Sequence, residues 1–195
     1  DMDKNPLIDV SIFEEARYYK PMMGKIWRMF PIETHRGCPY KCAYCNSPSQ
    51  MAMHKLNQNE SFLRRKTFEN MRRELLFFKN EMKAEFLYFW ADTFFSWTRK
   101  DFETFAELYQ EIQLPFWCQT RPETINEHRV KTLKKMGVAR IAFGIEHGNE
   151  KFRAKYLDRK MSNEIITEGI KTVIRAEVPI SVNNMIGFPH ETREL

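Results

Sequence analysis

Three cysteine residues lie close together in the first quarter of the chain, and their thiols are the strongest candidates for chemistry. They follow the pattern C-x3-C-x2-C, as Cys38, Cys42 and Cys45. A cubane iron–sulfur cluster normally takes four thiolates. A loop that supplies three would leave one iron to be held by a ligand that is not protein, and that iron would be open for chemistry.

The composition of the 195-residue chain predicts one packed domain. Apolar residues make up 43% and aromatic residues 14%, which argues against disorder. Four cysteines are too few for a secreted disulfide scaffold, so the clustered thiols indicate metal ligands that are kept reduced inside a cell. The chain has no apolar run near the roughly 18 residues of a membrane span and no signal peptide at its start. We therefore expect a soluble, cytoplasmic protein with no membrane partner.

The formal net charge of +5 comes from small basic groups that are interleaved with glutamates along predicted helices. This pattern is typical of solvated helix faces. A basic surface would also suit tRNA or rRNA, but no RNA-binding motif accompanies it, so nucleic acid is the less favoured partner. Because the chain begins with Asp and residues 191–195 resemble the opening of a helix, we expect it to be a piece of a longer protein.

Short apolar runs recur along the chain and predict strands buried on both faces of a parallel sheet. The predicted strands cover residues 29–34, 85–90, 115–119, 140–145 and 180–186. Between them, apolar residues at steps of three and four predict amphipathic helices, the first over residues 68–82 and the second over 102–112. Residues 1–28 show no sustained period and are expected to be a linker or entry segment.

Capping residues predict where the third and fourth helices begin. Thr124 followed by Glu127 predicts a capping box for the third helix, which Gly137 would end. Ser162 would cap the fourth helix, and Pro179 follows its end. Five strands joined by four helical crossovers imply a parallel α/β sheet, in which function collects at the carboxyl ends of the strands.

Polar residues stand at the carboxyl ends of several predicted strands. The cysteine loop follows the first strand, Asp92 the second and Arg121 the third, and Glu146 ends the fourth. Polar side chains buried without partners would cost several kcal/mol. A polar ligand bound at this rim would account for them together.

The cysteine loop and its position resemble the radical S-adenosylmethionine (SAM) superfamily. Its members carry the loop C-x3-C-x-aromatic-C after the first strand of a partial β/α barrel, and Tyr44 supplies the aromatic residue. Three later segments resemble the branch of the superfamily that often carries a cobalamin-binding domain upstream. These segments are residues 89–94, 144–150 and 185–192.

Each of the three later segments departs from the branch at one position. Ala91 stands where a second Asp is often found. His147 replaces Ser in the segment Gly-x-Glu-Ser-Gly, and His190 replaces the second Gly in Gly-x-Pro-Gly-Glu-Thr. Because His tolerates a positive φ less readily than Gly, we expect the loop around His190 to differ slightly.

The resemblance implies a partial parallel β/α barrel (TIM-like) in residues 29–195, incomplete after about five strands. It implies that Cys38, Cys42 and Cys45 hold three irons of a [4Fe-4S] cluster, while SAM chelates the fourth. An electron donor such as flavodoxin or ferredoxin would then drive cleavage of SAM to methionine and a 5′-deoxyadenosyl radical. That radical would abstract hydrogen from an unknown substrate. The branch adds methyl transfer or rearrangement, with cobalamin bound by a domain outside this chain.

The resemblance also implies, by position, which residues contact SAM. Asp92 would accept hydrogen bonds from the amino group, and Glu146 would reach the ribose hydroxyls. Arg121 would pair with the carboxylate, which suits the guanidinium fork. The adenine would be lined by Ile186, Gly187 and the backbone beside Tyr44.

Two alternatives would give the cysteines a different role. A structural zinc site or an electron-transfer cluster would use Cys118 or His35 as a fourth protein ligand. Cys118 lies in the apolar stretch of residues 115–118, so its predicted role is that of a small buried hydrophobe.

Overall fold

Strands and helices alternate along the chain in the computed structural model, which describes residues 2–58 and 61–193. The strands are β1 (Tyr19–Met22), β2 (Lys25–Ile32), β3 (His35–Arg36), β4 (Arg64–Arg65), β5 (Phe86–Phe89), β6 (Phe116–Thr120), β7 (Val138–Glu146) and β8 (Ile180–Asn184). The α-helices are α1 (Ser47–Gln58), α2 (Phe68–Leu76), α3 (Arg99–Tyr109), α4 (Glu127–Met136), α5 (Glu150–Tyr156) and α6 (Asn163–Arg175). The helix opening that the sequence predicts over residues 191–195 lies partly outside the described ranges. Within those ranges, every helix is too short or too polar to cross a bilayer.

One six-stranded sheet forms the centre of the fold, in the order β1-β2-β5-β6-β7-β8. From β2 to β8, each strand is parallel to the next one in the sheet. Because the order never reverses and such crossovers are right-handed, the connecting helices lie on one face and the sheet winds in one direction. The result is the partial parallel β/α barrel that the sequence predicts.

The five predicted strands are confirmed, and the sheet gains a sixth. Strand β1 pairs antiparallel with β2, from Tyr19 opposite Arg28 to Met22 opposite Lys25. It lies within residues 1–28, where the sequence shows no period. A separate two-stranded ribbon joins β3 to β4. It ties the start of the cysteine loop to the chain that precedes α2.

Aromatic side chains fill the layer between the sheet and its helices. Phe89 is fully buried on the outer face of β5, where its ring contacts those of Phe105 on α3 and Phe116 on β6. Successive residues of a strand point to opposite faces, so Tyr88 faces the inside of the half-barrel. There its ring stacks on Trp117, with 4.2 Å between the ring centroids. The helices hold the outer face, and a thinner aromatic layer covers the inner one.

Side-chain caps start five of the helices, and one predicted cap is wrong. The capping residues are Thr67, Thr98, Asn126, Asn149 and Ser162. Thr124 does not cap α4, because it ends a 3-10 turn that Pro122 begins, and its hydroxyl donates to the carbonyl of Arg121 at 2.6 Å. The carboxamide of Asn126 accepts the helix amide instead. The predicted cap at Ser162 and the helix end at Gly137, with φ of 90°, are confirmed.

Gly169 sets how closely α6 approaches the turn that follows β6. A Cβ at this position would lie 2.6 Å from the carbonyl oxygen of Pro122. We expect Gly169→Ala to lower the free energy of unfolding by about 1–3 kcal/mol, because a backbone atom must move. Helix propensity alone would predict a gain of up to about 1 kcal/mol.

Chemical denaturation of the anaerobic apoprotein measures this effect. Gly148→Ala is the matched control, because its added Cβ would meet open space. A stability of Gly169→Ala equal to or above that of the wild type would show that α6 does not depend on this close approach.

Candidate functional site

The cysteine loop lies between β3 and α1, beside the carboxyl end of β2. It begins at Gly37, whose φ is +90° and where a Cβ would collide with the backbone carbonyl of Phe62. Only glycine meets both conditions. Further along, the amide of Ala43 donates to the carbonyl of Leu157 at 3.0 Å. The amide of Cys45 donates to the backbone carbonyl of Cys42 at 3.1 Å. The loop is therefore held both by its own turn and by the chain that follows α5.

The three thiols differ in exposure. Cys42 is buried, Cys38 is half-buried and Cys45 is exposed. Burial raises the pKa of the Cys38 thiol, and the charges of Asp92, Cys42 and Cys45 raise it further. These groups therefore lie near enough to Cys38 to interact with it. A bound cation would relieve the repulsion among so many negative groups.

Neither candidate for a fourth protein ligand is placed to serve as one. Cys118 is 0% exposed within the core cluster between sheet and helices, and burial raises the pKa of its thiol strongly. His35 is buried with both ring nitrogens in use, since Nε2 donates to the Thr93 carbonyl and Nδ1 accepts from the Thr34 hydroxyl, each at 3.0 Å. Cys118 is the buried small hydrophobe that the sequence predicts.

In residues 2–58 and 61–193, no group of three or more His, Cys, Asp or Glu side chains is arranged around a single metal ion. A zinc site needs its ligands to converge on one point. An iron–sulfur cluster does not, because each thiolate binds a different iron.

Arg121 lies against the cysteine loop rather than on the surface. Its Nη1 donates to Cys42 Sγ at 3.1 Å, and its guanidinium lies over the ring of Tyr40 at 3.8 Å. Burial alone would lower its pKa, but Glu123 and Cys42 raise it above the ordinary value. This cation offsets the negative charge that a metal-bound thiolate would carry.

Arg159 is a buried cation that the sequence pattern did not reveal. It is 3% exposed, and its Nη1 donates to the Tyr44 hydroxyl at 3.0 Å and to Glu146 Oε1 at 3.4 Å. The same nitrogen lies 4.0 Å from Cys42 Sγ, while Nη2 donates to the carbonyl of Gly144. The only sequence signal was a charged residue between two helices, where surface position is the usual expectation.

Glu146 ends β7 in an unusual backbone conformation. Its φ is +74°, and the pairing register of β7 with β8 shifts between Gly144 and Glu146. The carbonyl of Glu146 accepts from the amide of Met185 at 2.8 Å. Partial burial and the charge of Glu146 raise the pKa of the Tyr44 hydroxyl, which therefore stays neutral. The turn brings the carboxylate back over its own strand, toward Arg159.

Asp92 and the Ile186–Gly187 segment lie at other parts of the same rim. Asp92 is exposed and lines a cavity of about 230 Å³ together with Trp90, Trp117 and Gln119. Ile186 is exposed beyond the end of β8, and Gly187 has φ of +84°. The structure thus connects two of the predicted residues to the cysteine loop, of which Tyr44 is a part. Arg121 contacts Cys42 directly, and Glu146 is connected to Tyr44 through Arg159. It places Asp92 within electrostatic range of Cys38.

A larger cavity, of about 730 Å³, lies between the N-terminal segment and the end of β2. Its buried charged side chains, Lys66 and Glu74, pair with each other at 2.6 Å. None of the residues that the sequence predicts for the site lines it. The candidate site therefore lies outside this cavity.

Comparison with known proteins agrees with this geometry. The family model described as "Radical SAM superfamily" matches residues 32–195. The "Uncharacterized methyltransferase PH0819" of Pyrococcus horikoshii is 25% identical over 164 residues, which cover 84% of this chain and 34% of that protein.

Two solved structures are similar in fold. The radical S-adenosylmethionine methyltransferase TsrM from Kitasatospora setae, with cobalamin and a [4Fe-4S] cluster bound, has a TM-score of 0.63 at 16% identity over 85% of this chain and 32% of that one. The cobalamin-dependent S-adenosylmethionine radical enzyme OxsB, with aqua-cobalamin bound, has a TM-score of 0.62 at 16% identity over 80% of this chain and 23% of that one. The chain spans about one third or less of the length of these relatives. Both of these enzymes bind cobalamin, in agreement with the branch that the sequence motifs resemble.

Alkylation of the anaerobic apoprotein will distinguish the exposed, the half-buried and the core thiol. We expect iodoacetamide to modify Cys45 first, because it is exposed, and Cys38 more slowly at neutral pH, because a raised pKa leaves less thiolate. Raising the pH should bring the alkylation rate of Cys38 closer to that of Cys45. Cys118 should stay unmodified until the protein unfolds. Mass spectrometry of peptides taken over time measures all four, and early modification of Cys118 would contradict its placement in the core.

The Arg159–Glu146 pair should be strongly coupled despite its length. Removing one partner of a buried pair costs about 3 kcal/mol, so Arg159→Met should destabilise the apoprotein by that amount. Adding Glu146→Gln should restore part of the loss, because the uncompensated charge disappears. Arg175 and Glu168 form the matched control, at 2.6 Å but exposed. A double-mutant cycle by chemical denaturation measures the coupling free energy of each pair. Equal coupling energies would mean that burial does not determine the strength of the Arg159–Glu146 interaction.

Proposed function

This chain belongs to the radical SAM superfamily, and on that premise we propose that it is the core of an enzyme that binds a [4Fe-4S] cluster and reductively cleaves SAM. Cys38, Cys42 and Cys45 would hold three irons. When bound, such a cluster passes one electron to SAM, whose cleavage yields methionine and a 5′-deoxyadenosyl radical for hydrogen abstraction. The other side chains of the site would bind SAM, orient it and exclude water.

One observation carries this proposal. Three thiols share a loop at the rim of the half-barrel, and the two residues that could complete a four-ligand site are otherwise engaged. Cys118 lies in the core, and His35 uses both ring nitrogens in hydrogen bonds. In the part of the chain that the structure describes, three thiols in one loop with both predicted fourth ligands engaged elsewhere support a cluster with one iron left for SAM.

The charges around the loop are complementary to the polar groups of SAM. Its amino group is cationic, and Asp92 is the carboxylate that acts electrostatically on Cys38. Its carboxylate is anionic, and the guanidinium of Arg121 lies next to Cys42. The Arg159 guanidinium, 4.0 Å from the same sulfur, offers a second cation that sequence reasoning did not propose. A guanidinium suits a carboxylate because its N–H groups match the two oxygens.

Glu146 is suited to hold the ribose of SAM. Its carboxylate would accept hydrogen bonds from two hydroxyls, and the Arg159 guanidinium, 3.4 Å away, holds it in one orientation. The Ile186–Gly187 segment follows directly from Met185, whose amide is bonded to Glu146. This connection supports an adenine position beside Glu146, with the backbone near Tyr44 on the other side.

The inner aromatic layer would shield the reaction from water. Trp90 and Trp117 line the same cavity as Asp92, and Trp117 stacks on Tyr88. Excluding water strengthens electrostatic interactions and protects a reactive intermediate from side reactions. A substrate for hydrogen abstraction would approach over this layer.

We further infer methyl transfer or rearrangement with cobalamin as the reaction of the whole protein. The relatives named above support it, since two are called methyltransferases and two structures contain cobalamin. Cobalamin would be held by a domain outside this chain. Reduction of the cluster would need an electron donor of low potential, such as flavodoxin or ferredoxin. A cytoplasmic location would keep the thiols reduced.

Anaerobic reconstitution of the full-length protein tests the proposal. We expect dithionite and SAM to yield 5′-deoxyadenosine, or S-adenosylhomocysteine if the methyl group is transferred. Cys45→Ala should lose both the products and about 90% of the cluster iron and sulfide, because a two-thiolate loop holds a cubane poorly.

Cys118→Ala is the matched control, and it should keep the cluster and the products. A collapse of the cluster in folded Cys118→Ala would favour the electron-transfer alternative. An intact wild-type cluster that gives neither product would show that the protein does not use SAM as proposed.

A further inference from the structure

The two histidines that depart from the sequence motifs meet the same helix. His147 follows β7, and His190 lies in the loop after β8. The ring of His147 stacks on Phe152 with 4.3 Å between centroids, and the ring of His190 stacks on Tyr156 at 5.3 Å. Phe152 and Tyr156 are four residues apart and share one face of α5. Both replacements therefore act on one surface.

His147 is held in a single tautomer. Its Nδ1 accepts from the amide of Asn149 at 3.0 Å, so the proton is on Nε2. Nε2 lies 3.4 Å from Glu191 Oε1 and can only donate to it. The side chain of His147 is 5% exposed and that of Glu191 is 18% exposed. The contact is thus largely shielded from water.

Glu191 connects this histidine to the backbone of the loop after β8. Its Oε2 accepts from the amides of Gly187 and Phe188, at 2.6 and 2.9 Å. These backbone hydrogen bonds lower the pKa of Glu191, and His147 contributes to the same effect. The carboxylate therefore stays ionised and links two consecutive amides to the start of α5.

His190 occupies a turn position that favours glycine. The amide of Glu191 donates to the carbonyl of Phe188, with Pro189 second and His190 third in the turn. His190 has φ of +69°, the positive value that a type II turn requires at its third position. A non-glycine residue is strained there. Stacking on Tyr156 is the contact that offsets this strain.

We propose that His147, Glu191 and His190 form a clamp that fixes the Gly187–Phe188 backbone against α5 and so positions the Ile186–Gly187 segment for the adenine of SAM. Its role in SAM binding rests on the proposed function. These are positioning residues, since none of them needs to touch SAM. Where the related motifs have a Ser and a Gly, the two histidines add two ring contacts and a shielded contact with Glu191.

The clamp acts close to the residues that would hold the ribose. His147 directly follows Glu146, and Met185 directly precedes Ile186 while donating its amide to the Glu146 carbonyl. The loop is thus attached at Met185 by the sheet and at residues 187–188 by Glu191. Ile186 lies between these two attachments, which hold its backbone at the rim.

Hydrogen exchange and SAM affinity of the reconstituted full-length protein test the clamp. His147→Phe keeps a ring for Phe152 but removes the donor to Glu191. We expect exchange at the Gly187 and Phe188 amides to rise about tenfold, and the Kd for SAM to rise about tenfold, with unchanged iron content. His147→Gln should restore much of both, because its amide can accept from Asn149 and donate to Glu191.

His128→Gln is the matched control, because His128 forms an exposed pair with Glu103 away from this loop. It should change neither quantity. Unchanged exchange in His147→Phe would overturn the clamp. Faster exchange with an unchanged Kd would overturn its role in positioning SAM. A wild-type protein that carries the cluster but binds no SAM would refute the proposed function instead, and its exchange data would still decide whether the clamp exists.

Discussion

The buried guanidinium of Arg159 is the interaction that joins the separate parts of the site. It contacts the hydroxyl of Tyr44, the carboxylate of Glu146 and the carbonyl of Gly144 within 3.4 Å. A buried cation is costly unless its N–H groups are satisfied. The cysteine loop and the end of β7 must therefore stay in contact if the guanidinium of Arg159 is to keep these hydrogen-bond partners. The position of the loop and the position of the strand end are thus coupled.

The sheet makes this arrangement available by bringing distant residues to one edge. Strands β2, β5, β6, β7 and β8 are neighbours in chain order, so the loops that follow them form a continuous rim. Thiols follow β2, the carboxylate of Asp92 follows β5, the guanidinium of Arg121 follows β6, and the carboxylate of Glu146 ends β7. Aromatic side chains pack on both faces of this sheet.

Periodic segments were predictable because burial imposes their pattern. The five parallel strands are short apolar runs, and the helices repeat at steps of three and four. The antiparallel strand β1 was not predictable from the sequence, since its residues are mostly exposed and show no period. The cap of α4 moved from Thr124 to Asn126 because Pro122 starts an additional turn, and a local motif does not reveal which of two nearby polar residues the backbone will use.

The sequence alone determined the cysteine spacing, the order of strands and helices, and the residues at the strand ends. Each of these features depends only on residues that are close together in the chain. The tertiary structure decided which groups meet. Arg159 lies 114 positions after Cys45 in the numbering, yet it is buried beside Tyr44 and Cys42. His147 and Glu191 likewise meet only because β7 and β8 are adjacent. Contacts between distant segments depend on packing, which periodicity and spacing do not encode.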